Sequence, residues 1–288
     1  MFDLIYRFDP TNTAHRQMPL NAAEACQLLM QGNQYFVDIT AGSGKESKER
    51  VIPLNHRAFG SRDGDIPAQA PFAAVLGCAD ARVPPEMVFG KGCNELFVVR
   101  VAGNVLGQES LGSMRYAVSH FPTLKLLVVL AHSKCGAVRE TVDMYLEPRR
   151  YMEIATDYSL RCVEEQILVA VRVAAMSMEE VYGYQVIRGP GGRNALIETA
   201  VVLNAAWIAA CLRQEFRTRF PDVGVVFGTY DLISRCVRLP LSLSRQPSEE
   251  EKGLFTPPED ADEFRQLALR ICSGNLVRSL IGERPCAA

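Results

Sequence analysis

The sequence predicts an α/β fold built on an open parallel sheet of about five strands flanked by helices. Three observations carry this expectation. Continuous apolar runs rich in Val and Leu recur at 72–77, 95–101 and 125–131, bounded by turn residues, as strands buried on both faces require. A helix-period stretch lies between the second and third runs, and Pro84-Pro85-Glu86 opens a short helix between the first two, since proline suits a first helical turn. The chain has 288 residues, 48% hydrophobic and 22% charged. That is ample for a core and too apolar for disorder.

Taken in order, residues 1–17 read as an irregular lead. Over 21–36, Ala22, Ala25, Cys26, Leu29 and Met30 recur at helical spacing, with Asn21 as the N-cap. The stretch 40–65 is polar and glycine-rich, which predicts a loop. The strands at 72–77 (FAAVLG), 95–101 (ELFVVRV) and 125–131 (KLLVVLA) follow, separated by the helix from Pro85 and a second at 109–120. Strand, helix, strand, helix, strand implies parallel pairing. Residues 140–217 read mostly as helix, with long segments at 160–181 and 194–216 and a turn at 189–192. A fourth strand is expected at 223–227 (VGVVF) and a fifth at 236–241. The tail from Ser242 starts polar and acidic, passes Pro257-Pro258 and ends in an amphipathic stretch at 260–281, expected to pack on its own body. There is no internal repeat. The chain divides into a helical arm and loop (1–65), an α/β core (66–241) with a helical insertion (141–195), and an extension (242–288).

Composition removes several functional classes. With 31 basic and 33 acidic side chains, the chain lacks the basic excess of a dedicated nucleic-acid binder. A membrane span needs about 20 apolar residues, and the long apolar stretch 200–212 is broken by Asn204. No span is expected. Asp3 and Arg7 interrupt the apolar start, so no secretory leader is expected. Nine cysteines stand at 26, 78, 93, 135, 162, 211, 236, 272 and 286. The odd number and loose spacing suit a reducing, cytoplasmic location, where cysteines are packing groups, reactive thiols or metal ligands. Cys26, Cys162, Cys211 and Cys236 lie on apolar-periodic segments and read as buried packing. Cys93, in a glycine-flanked loop, reads as the reactive one. Gly42-Ser-Gly44-Lys45 hints at a phosphate loop, but Ile39 and Glu46 occupy positions that need Gly and Ser or Thr.

The chemistry concentrates in two short motifs, Cys78-Ala-Asp80-Ala-Arg82 and His132-Ser-Lys-Cys135, each directly after a predicted strand. In an open parallel sheet, ligands bind beyond the carboxyl ends of the strands. Extended chain lets Cys78, Asp80 and Arg82 project to one side, and one turn brings His132 and Cys135 together. Two thiolates and an imidazole favour zinc, with a fourth position open for water. Asp80 has two readings: a fourth ligand that closes the site, or a carboxylate held off the metal by Arg82. The second suits a metal that activates water.

These motifs belong to longer stretches that resemble the β-class carbonic anhydrases: Cys78-Ala-Asp-Ala-Arg-Val-Pro-Pro-Glu86, Leu96-Phe-Val-Val-Arg-Val-Ala-Gly-Asn104 and His132-Ser-Lys-Cys-Gly-Ala137. Gln31-Gly-Asn-Gln-Tyr-Phe36 is similar to the family's N-terminal helix signature, with Tyr35 where Arg is frequent. The resemblance is strong over 20–140 and weaker over 200–241, where Val226-Phe-Gly-Thr-Tyr-Asp231 resembles the last parallel strand and its exit. It implies a mostly parallel sheet with one antiparallel edge strand. It implies Zn2+ on Cys78, His132 and Cys135, and reversible hydration of carbon dioxide to bicarbonate and a proton. It makes Asp80 and Arg82 the dyad that orients the fourth ligand. Gln69 would hydrogen-bond substrate, and Phe97 and Tyr116 would line a pocket formed between two subunits of a homodimer or larger assembly. The same site would suit carbonyl sulfide or carbon disulfide. A non-catalytic zinc scaffold is a more distant alternative, and a redox sensor using Cys93 or Cys286 a third. Two positions depart from the family pattern: Ala81 where Ser is usual, and Val75 where some bacterial members carry the tryptophan of a regulatory bicarbonate site. His120 reads as a helix-end histidine rather than a proton shuttle.

Overall fold

A computed structural model describes residues 2–9, 18–40, 48–54, 66–245 and 247–282. Its main sheet contains β3 (Ala73–Gly77), β4 (Leu96–Arg100), β5 (Leu126–His132), β6 (Gly224–Tyr230) and β7 (Val237–Arg238), in the order β4-β3-β5-β6-β7. All pairs are parallel except β6–β7. The register sets Gly77 beside both Arg100 and Leu130, and His132 beside Tyr230, so four strands end along one edge.

The continuous apolar runs have a simple cause. Ala74, Leu76, Leu127 and Val129 face one layer of helices, while Ala73, Val75, Leu126, Val128 and Leu130 face the other. With period-two alternation, both faces are covered, so every residue must be apolar. The edge strand β4 departs from this expectation. It is half-buried, because only β3 lies beside it.

One layer is α1 (Ala22–Thr40), which packs Ala25, Leu29 and Phe36 on the sheet. Asn21 caps it as expected: its Oδ1 accepts the Glu24 N–H at 3.0 Å, and the Glu24 carboxylate accepts the Leu20 N–H at 2.9 Å. Buried Asn33 joins α1 to two other segments. Its Oδ1 accepts from the Val237 N–H (2.8 Å), and its Nδ2 donates to the Val88 and Arg235 carbonyls (3.0 Å each). The opposite layer holds α3 (Gln108–His120), α4 (Gly136–Leu146), α6 (Tyr158–Tyr182) and α7 (Gly192–Phe216). Two short helices complete this part, α2 (Pro85–Val88) and α5 (Pro148–Ile154). By length and composition α7 could cross a bilayer, yet most of its apolar window is buried inside the fold, where it serves as a core helix.

Three expectations are corrected. The lead and the 40–65 stretch contain β1 (Phe2–Phe8) and β2 (Lys48–Leu54), paired in parallel. Ile52 and Leu54 are buried at alternate positions, but the charges around them and Pro53 hid the alternation. The amphipathic stretch at 260–281 is two helices, α8 (Ala261–Cys272) and α9 (Asn275–Leu280). They break at Gly274, where a Cβ would lie 2.9 Å from the Leu241 carbonyl oxygen. Cys26, Cys162 and Cys211 are only partly buried, leaving Cys236 as the fully packed thiol of that group. Cys272 is also buried and Cys93 is exposed, while Cys286 and the Gly42–Lys45 motif lie outside the described residues.

The tail docks on its own body, as expected. Phe255 and Phe227 exchange backbone hydrogen bonds at 2.8 Å, and α8 buries Phe264, Ala268, Ile271 and Cys272 in the core.

Candidate metal centre

The end of β3 delivers Cys78, and the ladder with β4 continues past it: the Val101 N–H donates to the Gly77 carbonyl (3.0 Å) and the Ala79 N–H to the Val101 carbonyl (3.2 Å). Arg100, on the last residue of β4, then reaches across. Its Nε donates to the Cys78 carbonyl (3.0 Å) and its Nη2 to the Asp80 carbonyl (2.5 Å). Cys78 and Asp80 are therefore fixed through their backbone as well as their side chains.

The second half of the site comes from β5. His132 is its last residue and is fully buried. Its Nδ1 lies 3.0 Å from the Ser133 carbonyl oxygen. A carbonyl can only accept, so Nδ1 carries the proton and Nε2 presents a lone pair. That Nε2 is buried with no hydrogen-bond partner among the described residues. A left-handed residue, Lys134 (φ 55°), turns the chain, a conformation that costs a non-glycine residue roughly 1–2 kcal/mol. Cys135 follows as the N-cap of α4, where Cys78 and burial push its thiol up and the backbone N–H groups of Val138 and Ala137 draw it only partly back.

Cys78, His132 and Cys135 thus converge, their donor atoms all within 4.8 Å of one another. The two Sγ atoms are 4.0 Å apart. A tetrahedral metal with sulfur bonds of about 2.3 Å would set two thiolates about 3.8 Å apart, so the spacing fits. Without a cation the two thiols share their protons unequally. The hydrogen bond from Cys135, aided by the Asp80 backbone and opposed by burial, holds the Cys78 thiol below its ordinary value. The Cys78 sulfur and burial push Cys135 above its own. A bound cation removes that repulsion. The orphaned Nε2 and the paired sulfurs are the structural evidence that these residues suit a metal.

Asp80 stands beside this cluster, its Oδ2 3.7 Å from His132 Nε2. Arg82 holds it in a fork: Nε to Oδ1 at 2.9 Å, Nη2 to Oδ2 at 2.7 Å, and the Arg82 N–H to Oδ1 at 2.9 Å. This bonding keeps the Asp80 carboxyl well below the usual carboxylate range. Of the two sequence readings, the geometry matches a carboxylate held by Arg82.

Beneath the His132–Cys135 turn lies Glu198 of α7, whose Oε1 accepts the Lys134 N–H at 3.1 Å. Burial pushes its carboxyl up, and the Lys134 N–H draws it back. The Ser133 N–H donates to the Tyr230 carbonyl (3.0 Å), and Ser133 Oγ accepts the Leu232 N–H (3.0 Å). Sequence reasoning missed Arg100 and Glu198. Arg100 was visible only as the polar end of an apolar strand, and Glu198 only as a carboxylate in an apolar helix.

The structure does not bring Gln69, Phe97 or Tyr116 to the thiols of their own chain. Gln69 is exposed ahead of β3, at the opposite end from Cys78. Phe97 pairs with Ala74, four residues and roughly 13 Å of strand before Cys78. It joins an aromatic patch with Phe121 (5.7 Å between centroids) and Tyr116 (6.4 Å), beside the free edge of the sheet. His120 stacks on Tyr116 at 4.2 Å and reaches its carbonyl, as a helix-end histidine does. Tyr35 carries the Arg50 guanidinium over its ring at 4.2 Å, and Val75 is buried against the α1 layer.

Comparison with known proteins fixes the family. The carbonic anhydrase family profile matches residues 73–179. A carbonic anhydrase of Mycolicibacterium smegmatis is 31% identical over 219 residues, covering 72% of this chain and 98% of the relative. The chain belongs to the β-class carbonic anhydrases. Carbonic anhydrase 2 of Mycobacterium tuberculosis is 41% identical over 118 residues, 41% of this chain and 51% of the relative; this chain's match thus spans about half the length of that carbonic anhydrase. Among solved structures, a tetrameric β-carbonic anhydrase of Sordaria macrospora aligns with a TM-score of 0.47 and 18% identity, over 59% of this chain and 81% of that one.

Proposed function

We propose that this chain is a zinc enzyme that interconverts carbon dioxide and bicarbonate. The observation that carries the reading is the convergence of two thiols and an unpartnered imidazole nitrogen beside a carboxylate already engaged by arginine. Cys78, His132 and Cys135 would hold Zn2+, two thiolates cancelling its charge and the fourth position staying open. When bound, the ion supplies a Lewis acid that makes water a nucleophile near neutral pH.

The remaining work falls to the chain. Arg82 fixes Asp80 as a pure acceptor facing the open position, so only a group that can donate a hydrogen bond fits there. Water and the hydroxyl of bicarbonate both qualify. Arg100 keeps the Cys78–Asp80 backbone from shifting as charge changes. Linear, apolar carbon dioxide needs a small apolar pocket and a donor for its oxygen. Gln69, Phe97 and Tyr116 have the chemistry for this but stand away from their own chain's thiols. Their contribution is therefore assigned to the site of a second copy, which makes a homodimer the smallest active unit. The odd count of nine cysteines and their loose spacing support assigning the chain to a reducing compartment, the cytoplasm.

Zinc content and stopped-flow carbon dioxide hydration test the reading. One zinc per chain and hydration across about pH 6–9 are expected. A protein that binds zinc and hydrates nothing in that range refutes it.

A further inference from the structure

Two of the three metal ligands come from one four-residue turn, and something must hold that turn in shape. We propose that Glu198 is a positioning residue that locks the His132–Cys135 turn in its metal-ready form; this rests on the metal centre proposed above. Lys134 lies between the two ligands in a left-handed conformation (φ 55°). The neighbouring Ser133 N–H donates to the Tyr230 carbonyl, the Ser133 carbonyl accepts from His132 Nδ1, and α4 begins directly after Cys135. The Lys134 N–H instead finds Glu198 Oε1 at 3.1 Å.

The acceptor is well placed for this work. It projects from α7, whose adjoining Ala195, Leu196, Ile197, Thr199 and Ala200 are buried and which packs against β5. A carboxylate on a rigid core helix gives a charge-assisted bond with little freedom to wander. Rotating Lys134 back toward an ordinary φ would break this bond and swing Cys135 Sγ away from His132 Nε2. Outer groups that orient ligands in this manner are worth roughly 10–100-fold in metal affinity.

The test is zinc release from the loaded full chain into a chromogenic chelator, with metal-free melting measured alongside. Glu198→Met removes the acceptor at similar size and should release zinc about 10–100-fold faster. Glu198→Gln keeps an oxygen acceptor and should return release to within about threefold of the parent. Metal-free melting should be similar for all three. A Met variant that releases zinc at the parent rate overturns the proposal. So does a Gln variant as fast as Met, or a metal-free melting loss large enough to account for the release. Should the Met variant not fold, hydrogen exchange in the parent decides: a protected Lys134 amide supports the bond and an unprotected one overturns it. A parent that holds no zinc fails the metal centre itself, whereas a zinc-tight parent matched by Glu198→Met fails this inference alone.

Discussion

Replacing Arg82 by alanine isolates the dyad from the metal. Arg82 grips Asp80 through Nε (2.9 Å) and Nη2 (2.7 Å), and only its backbone N–H contact survives the substitution. Two charge-assisted bonds are worth about 1.5–3 kcal/mol each. The arginine side chain is 57% exposed, so water recovers part of this, and about 3 kcal/mol is a reasonable net hold. Once that hold is lost, Asp80 Oδ2, 3.7 Å from His132 Nε2, would be free to turn toward a metal held by the three ligands and take its fourth position. With about 1.4 kcal/mol per factor of ten, kcat/KM should fall about 10²-fold. The three ligands are untouched, so zinc content should match the parent. Stopped-flow hydration with metal analysis on the same sample reads both quantities. Arg82→Lys should recover little, because an ammonium lacks the planar fork. Full activity in Arg82→Ala, or loss of its zinc, refutes the reasoning.

Other consequences are checked by simpler measurements. Asp143 on α4 is bonded by Arg193 of α7 (2.5 and 2.7 Å), which lowers its carboxyl below the ordinary value. An acid with a depressed folded value adds stability above its unfolded value near 4 and loses it as pH falls. Asp143→Asn should therefore lower the melting temperature at pH 7, with the difference shrinking as pH falls below about 4. Burial pushes Cys272 up to about 12, so a thiol reagent at pH 8 should spare Cys272 in the native protein and label it once the chain is unfolded; labelling of Cys272 in the native protein contradicts the packing. A Cβ at Gly32 would lie 1.8 Å from the Phe89 carbonyl oxygen. Gly32→Ala should therefore cost about 3 kcal/mol by forcing α1 off α2, a melting loss of about 5–10 °C. An unchanged melting curve would mean the two helices do not meet this closely.

Where a signal is local, the sequence displayed it. β3 and β5 are buried on both faces, so their apolar runs were continuous and easily read. The candidate metal cluster was legible for the same reason, since Cys78 and His132 stand at the ends of those runs. Asn21 announced α1 because capping chemistry is set within four residues. What escaped was non-local. β1 and β2 stabilise each other across about 40 residues, and charged residues broke their alternation. Arg100 matters because register places it beside Gly77, and Glu198 because α7 passes beneath the metal turn. Neither relation is written in spacing along the chain. Gly274 ends a helix through its approach to Leu241, although amphipathic periodicity runs straight through it.

The metal centre itself is tested most directly by X-ray absorption at the zinc edge of the loaded protein. The account predicts two sulfur ligands at about 2.3 Å, one nitrogen at about 2.0–2.1 Å and one further light atom. A site with no sulfur, or with three or more, would contradict it.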